Sequence, residues 1–353
     1  MSEHSFDVTI VGAGAAGLFC AGVAGQLGLK VLLLDHSAKV AEKIRISGGG
    51  RANFTNREVG PANFISANPS FCRSALARYT PRQFVELVQR HGIGFHEKHK
   101  GQLFCDRSAE DLIGMLLAEC AAGGVTRWQP CSLQSIRYCG AGPDDPGAGR
   151  YEIDSDRGVV RSRALVVATG GLSIPKTGAT DLGYRIARQF GLSLVEPRPA
   201  LVPLTFDEAV WQPFAQLAGL SLPVQVAVGA RKSRMAFDED LLFTHRGLSG
   251  PAILQISSYW TSGSALRLNL APGLDLAAHL AQAKAAGSRK RVANELAGVL
   301  PARLADTWVG QDTGLQRPVN EVGDKALAGL AGHLAGWEIV PTGTEGYRKA
   351  EVT

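Results

Sequence analysis

The chain reads as an α/β protein built on a parallel sheet, and three observations carry that reading. Residues 6 to 11 (FDVTIV) form a short apolar run bounded by glycine, the pattern of a strand covered on both faces. A glycine-rich turn at 12 to 17 then opens an apolar segment with helical spacing from 15 to 28. A second apolar run, KVLLLD at 30 to 35, follows directly, so strand, helix and strand make one complete βαβ unit.

The rest of the chain is consistent with a larger protein of the same class. At 353 residues, with 45% hydrophobic and 20% charged residues, it has room for about two domains and the composition of an ordinary globular protein. Helical spacing recurs at 81 to 91 and at 108 to 122, where Leu112, Met115, Leu116 and Cys120 share a face. Short strands are expected near 131 to 138, 151 to 154 and 158 to 161, a meander with a Gly/Pro/Asp-rich loop at 140 to 149, followed by the buried strand RALVVATGG. The pattern changes after about Gly191. Alternation at Leu222, Val224, Val226 and Val228 argues for half-buried strands, and 275 to 333 is rich in Ala and Leu at helical intervals, among them Val292, Leu296, Val299 and Leu300. Residues 192 to 340 therefore read as an insertion, β-rich over 192 to 257 and about 334 to 340 and helical over about 258 to 333. The first domain, 1 to 191, is expected to resume at 341 to 353.

Several function classes recede on composition. The run from Val8 to Leu34 is interrupted by Gly12, Gly14, Gly17, Gly22, Gly25, Gln26, Gly28 and Lys30 without a basic segment before it, so it reads as neither a signal peptide nor a membrane span. The six cysteines, Cys20, Cys72, Cys105, Cys120, Cys131 and Cys139, include no CxxC pair and no His at metal-ligand spacing, which points to reduced thiols, a cytoplasmic setting and no bound metal. His91, His96 and His99 lack a carboxylate or thiol set and read as surface histidines. The net charge is only +5, and the one dense basic run, Arg289-Lys290-Arg291, reads as a solvated helix face, so no nucleic-acid partner is expected. GxSxG, HExxH and Walker A patterns do not occur.

The chemistry starts at Gly12-Ala13-Gly14-Ala15-Ala16-Gly17, which follows a strand and opens a helix. In this context Gly12 permits the tight turn, Gly14 lets a pyrophosphate approach the backbone, and Gly17 lets helix pack closely on strand. The amides of Ala15 and Ala16 lie at the positive end of the helix. Asp35, at the end of the second strand, is placed to accept hydrogen bonds from an adenosine ribose, and its charge disfavours a 2′-phosphate, so FAD or NAD is indicated. A second glycine-rich loop, Ser47-Gly48-Gly49-Gly50-Arg51-Ala52-Asn53, comes a dozen residues later and favours FAD. Ser47, Gly49 and Gly50 would allow backbone contact with a ring or phosphate, with Arg51 for charge and Asn53 for hydrogen bonding. Thr169, Gly170 and Gly171 end the strand after the meander and add another close-approach site. The loop Phe243 to Pro251 sets His245 and Arg246 among glycines, and is either a substrate or flavin-edge contact or a strand-to-helix turn capped by Ser249.

Five segments carry a family resemblance: KIRISGGGRANFTN (43 to 56), HKGQLFCDRSAEDL (99 to 112), ATGGLSIPKTGATDLGY (168 to 184), LLFTHRGLSGPAILQIS (241 to 257) and PTGTEGYRKAEVT (341 to 353). In this order they resemble the BaiN-like, or YhiN-type, NAD(P)/FAD-dependent oxidoreductases, a group that includes enzymes named aminoacetone oxidases. The resemblance implies a Rossmann-type FAD-binding domain interrupted by a β-barrel-like part and a helical insert. It also implies hydride transfer between a flavin and a small organic substrate, with NADH or NADPH as a transient donor at the flavin face. Two departures stand out. Ala52 occupies a position where the family usually has Cys, which removes thiol chemistry there. The family also continues past the position of Thr353 with a glycine-rich stretch that closes the flavin site, so a C-terminally incomplete chain with weakened flavin binding is expected. No catalytic acid or base is assigned, and two other readings stay open: a flavin-binding sensor or accessory protein without turnover, and an NAD-binding dehydrogenase.

Overall fold

The computed structural model describes residues 4–140, 150–230 and 234–353. The chain divides into two compact units, Met1–Glu196 and Pro197–Thr353.

In the first unit β1 (His4–Val11), α1 (Ala15–Gln26) and β2 (Val31–Leu34) form the expected βαβ unit, with Val8 opposite Val31 and Val11 opposite Leu34 in parallel register. The helix is two residues shorter than its pattern, because Leu27 caps it and Gly28 takes a left-handed φ of 87°. After α2 (Glu42–Ile46), three strands make a small antiparallel sheet: β3 (Asn53–Asn56), β4 (Phe95–Glu97) and β5 (Gln102–Cys105), in the order β3-β5-β4. Two helices, α3 (Arg73–Arg78) and α4 (Pro81–Arg90), lie between β3 and β4. Thr80 starts α4 by accepting from the Gln83 amide ahead of Pro81, and Ser108 starts α5 (Ala109–Ala122) by accepting from the Glu110 amide.

The main sheet is completed by β6 (Thr126–Trp128), β7 (Leu133–Tyr138), β8 (Tyr151–Ser155) and β9 (Gly158–Val167), in the order β6-β2-β1-β9-β8-β7, with α6 (Leu182–Gln189) following. Two segments read separately from the pattern, 158 to 161 and the RALVV run, are one strand. Its first half pairs antiparallel with β8, while β1 pairs with it in parallel from His4 opposite Val160 to Val11 opposite Val167. The loop expected at 140 to 149 lies, from residue 141 on, outside the described residues. Both faces of the central strands are covered: Val8, Ile10, Val31 and Leu33 enter one apolar cluster with α1 and α5, and Phe6, Leu32 and Leu34 enter another with Ile153 and Ile186. Helix α1 meets α5 through bare backbone. A Cβ on Gly25 would lie 2.4 Å from the Gly123 carbonyl oxygen, so any side chain there forces the helices apart.

The second unit is a seven-stranded sheet in the order β15-β14-β11-β12-β13-β10-β16, every ladder antiparallel. Its strands are β10 (Leu204–Thr205), β11 (Ser221–Val228), β12 (Met235–Phe243), β13 (Gly247–Ser249), β14 (Leu266–Asn269), β15 (Trp337–Ile339) and β16 (Gly343–Thr344). The helices are α7 (Glu208–Ala215), α8 (Pro251–Ser257), α9 (Leu276–Ala285), α10 (Val292–Leu296), α11 (Ala302–Gly310) and α12 (Asp324–Ala335). Trp211, Phe214, Phe243, Trp308 and Trp337 stack into one aromatic core. Three expectations need correction here. Leu266–Asn269 is a strand within the region read as helical, because two alternating leucines suffice to pair with β11. The boundary falls at 196/197, and 341 to 353 stays in this unit: Leu204 pairs with Thr344, and the Glu351 amide donates to the Leu201 carbonyl. The 289 to 291 run precedes α10 in an extended segment, with Arg291 opposite Pro318, and is not a helix face.

The α1/α5 contact gives a direct test. Gly25→Val should cost ~1–3 kcal/mol of stability through overpacking. Gly114→Ala, on the exposed side of α5 with nothing within 4 Å of the new Cβ, should be neutral or slightly stabilising. Thermal denaturation of the two variants against the parent would show the contrast.

Candidate functional site

The end of β1 turns sharply because Gly12 holds a φ of 108° and its missing Cβ would lie 2.4 Å from the Ala168 carbonyl oxygen. Gly17 sits directly over that turn, where a Cβ would be 1.7 Å from the Gly12 oxygen. The turn is held from the second strand. One oxygen of the Asp35 carboxylate accepts from the Ala13 amide at 2.6 Å and the other from the Ser37 amide at 2.7 Å. Asp35 thus braces the glycine turn and also lines the cavity beside it.

That cavity, of about 770 Å³, lies within the first unit and has the size of a cofactor site. Gly12, Gly14, Ala15 and Ala16 line it together with Asp35, Ser47, Thr169, Gly170 and Gly171, which brings nine of the fourteen expected residues to one space. Gly17 packs beneath the lining. Gly49, Gly50, Arg51 and Asn53 do not reach it; instead Gly48, Gly49 and Gly50 run at left-handed φ of 57°, 68° and 86°, and Ala52 is buried at a φ of 45°. Gly48 lies against Phe104 and the Asn53 amide, a packing role that the motif alone does not distinguish from ligand contact, whereas a Cβ on Gly49 would meet nothing within 4 Å.

The sequence reading missed Lys43 and the loop Thr177 to Thr180, both of which line the cavity. A signal existed, since both fall inside segments that carried the family resemblance. Lys43 Nζ donates to the Ser173 hydroxyl, which is fully buried, and burial lowers the Lys43 pKa. Gly178 approaches Ser37 so closely that a Cβ would lie 2.9 Å from its hydroxyl oxygen, joining the loop to the end of β2. Cys131 also lines the cavity, and burial raises its pKa. His245 and Arg246 lie in the second unit in a tight turn between β12 and β13, closed by the Thr244 amide donating to Gly247; Arg246 faces Glu345 at 3.4 Å. That loop is a strand-to-helix turn, although its cap is Gly250 and not Ser249, with Pro251 in the first helical turn. His91 pairs with Glu119 and His96 with Asp106. No group of three or more metal-ligating side chains occurs among the described residues, and no described helix is long and apolar enough to cross a membrane.

Whether these residues suit FAD can be judged at Gly14. A Cβ built there meets nothing within 4 Å, so the helix start opens onto free space at the wall of the cavity. First-turn amides without intrahelical acceptors, a carboxylate beyond them, and a cavity continuing past Lys43 and Ser47 match an extended dinucleotide. The residues fit, and FAD is the cofactor of this chain.

Two outcomes test the site. Gly14→Val should abolish co-purifying FAD absorbance and melt like the parent stripped of its FAD, whereas Gly17→Val should melt lower still and lose flavin, because its Cβ has no room within the protein. The thiols give a pH test. Burial, with Asp111 and Asp106 adding to it, pushes Cys105 from its ordinary 9.0 up to about 11. The folded state therefore keeps this proton longer than the unfolded chain. The stability it contributes is present below pH ~9 and is lost as pH rises toward ~11. Denaturant titrations across that window should show the decline, and Cys105→Ser should flatten it. At pH 8 a thiol reagent should label exposed Cys139 first and leave Cys105 unreacted.

Comparison with known proteins agrees with the geometry. The chain is 45% identical over 350 residues to a protein of Escherichia coli (strain K12) named ribosomal RNA dihydrouridine synthase, covering 99% of this chain and 84% of that one. A protein of the same name from Haemophilus influenzae is 41% identical over 356 residues, covering 100% and 86%. The 3-dehydro-bile acid delta(4,6)-reductase of Clostridium scindens is 25% identical over 261 residues, covering 72% of this chain and 61% of that protein. A family model described as the HI0933-like protein Rossmann domain matches residues 6–343, and the chain therefore belongs to the HI0933-like family of FAD-dependent Rossmann proteins.

Proposed function

We propose that this protein is a FAD-dependent oxidoreductase that reduces the C5=C6 double bond of a uracil base in ribosomal RNA, giving dihydrouridine. One observation carries the reading: a chain whose cavity fits FAD matches, along 99% of its length, a protein named for that reaction. The more distant bile-acid relative is also named as a reductase of a carbon–carbon double bond, which supports the reaction type over oxidation of an amine or alcohol. The reading replaces two sequence expectations, a small free substrate and no nucleic-acid partner, and leaves NADH or NADPH as the external donor.

Gly12, Gly14, Ala15 and Ala16 would hold the FAD pyrophosphate on backbone amides, Asp35 the adenosine ribose, and Ser47, Thr169, Gly170 and Gly171 the part beyond it. When bound and reduced, the flavin supplies the hydride. Addition of hydride to C6 of the base leaves a proton to be delivered at C5, beside a carbonyl. The sequence has Ala52 where the family has its thiol, and burial raises the pKa of Cys131, the cysteine that lines the cavity, which makes it a weaker proton donor. Lys43 Nζ is the cavity group best placed to hold a proton, since Ser173 fixes it and its lowered pKa weakens its grip on that proton.

The experiment is anaerobic incubation of the FAD-loaded protein with NADH or NADPH and unmodified ribosomal RNA, followed by nucleoside mass spectrometry. Dihydrouridine should form only when protein, donor and FAD are all present. Lys43→Met should lower its rate by ~10²-fold or more with FAD content retained. Flavin that is reduced by the donor but yields no dihydrouridine in any ribosomal RNA would overturn the reading.

A further inference from the structure

The positive charge of this protein is unevenly distributed. Between residues 57 and 105 there are seven Lys and Arg against three Asp and Glu, so this stretch carries +4 of the chain's +5. Within it, none of the 24 residues from 57 to 80 is buried, and α3 contributes no residue to any core. Tyr79 rests against Phe19 at 4.9 Å and Leu76 is half-buried, but three large apolar side chains face outward: Phe71 is 82% exposed, Ile65 55% and Phe64 47%.

The segment is nonetheless shaped. The Ser66 hydroxyl donates to the Asn68 carbonyl, the Asn68 side-chain oxygen accepts from the Ser70 amide, and the Phe71 amide donates to the Asn68 carbonyl. These local bonds fix the backbone that presents Phe71. Arg73 and Arg78 follow at once on α3, both exposed. Arg57 and Arg82 are tied to Glu97 and Glu86, whereas neither Arg73 nor Arg78 meets a carboxylate among the described residues. Exposed aromatic rings interleaved with unpaired guanidinium groups are the arrangement that binds single-stranded nucleic acid, rings stacking on bases and cations following the phosphates. The segment also leaves from β3, directly after the loop that begins at the cavity residue Ser47.

We propose that residues 57 to 80 form a single-stranded RNA platform, with Phe64 and Phe71 stacking on bases and Arg73 and Arg78 contacting phosphates; this rests on the reading of the protein as an RNA-modifying reductase. The test uses the full FAD-loaded chain and a fluorescein-labelled single-stranded RNA of about 20 nucleotides, with polarisation measured across a salt series. Phe71→Ala should weaken binding ~5- to 100-fold. Arg73→Glu with Arg78→Glu should lower the slope of log affinity against log salt by ~1.4, two phosphates at ~0.7 each. All variants should keep FAD absorbance and thermal stability, since nothing they alter is buried. Unchanged affinity and slope in both variants would overturn the proposal, as would a parent protein that binds no RNA. A concentration-dependent dimer that is lost in Phe71→Ala while RNA binding persists would also overturn it, assigning the surface to a second copy of the chain. Because binding is read separately from dihydrouridine formation, weakened binding in the variants supports the platform even if no dihydrouridine is made. Dihydrouridine formation by variants that bind like the parent leaves the reductase reading standing and removes the platform.

Discussion

Everything at the candidate site depends on one backbone contact that admits no side chain. The Gly17 Cα lies over the Gly12 carbonyl, and Gly12 lies against the Ala168 carbonyl at the end of β9, so the turn, the first helix and β9 meet as bare main chain. Close packing here sets where α1 begins and hence where its unpaired amides and positive dipole end act. Asp35 reinforces the arrangement from β2 by accepting from the Ala13 amide. A carboxylate that only touched ligand would be free to move. This one is part of the frame, so the frame and the carboxylate that lines the cavity are positioned by the same bonds.

The chemistry available within that frame is narrow. Burial raises the pKa of Cys105 and of Cys131, and Ala52 supplies no thiol. What remains is a backbone cradle, an acidic anchor and a lysine held by a buried hydroxyl. Such a site binds and orients a redox cofactor. The second unit, by contrast, uses its aromatic residues in its own core, where Trp211, Phe214, Phe243, Trp308 and Trp337 interlock. Its His245 and Arg246 belong to a turn whose hydrogen bonds account for its shape.

Much of this was legible in the sequence, and for physical reasons. The βαβ opening, the helix starts at Thr80 and Ser108, and the glycine turn are local: each depends on residues a few positions apart whose conformational demands are known. Apolar strands covered on both faces announce themselves as unbroken runs, as in VLLL at 31 to 34. The carboxylate at Asp35 was equally legible, because the length of a βαβ unit puts the end of its second strand beside the turn.

The tertiary structure alone decided the rest. A glycine in sequence is ambiguous between making room for a ligand and making room for another part of the chain, and only the neighbours resolve it: Gly14 faces open space, Gly48 faces Phe104 and Gly25 faces Gly123. The same holds for Lys43, whose role depends on Ser173, 130 residues away. Two-residue strands such as Leu204–Thr205 and Gly343–Thr344 carry no periodicity of their own, so the sheet they join determines them and keeps 341 to 353 in the second unit. Local sequence determined which segments could turn, start a helix or bury a strand; which surfaces they then share is a property of contacts between distant residues, and it took the folded chain to decide them.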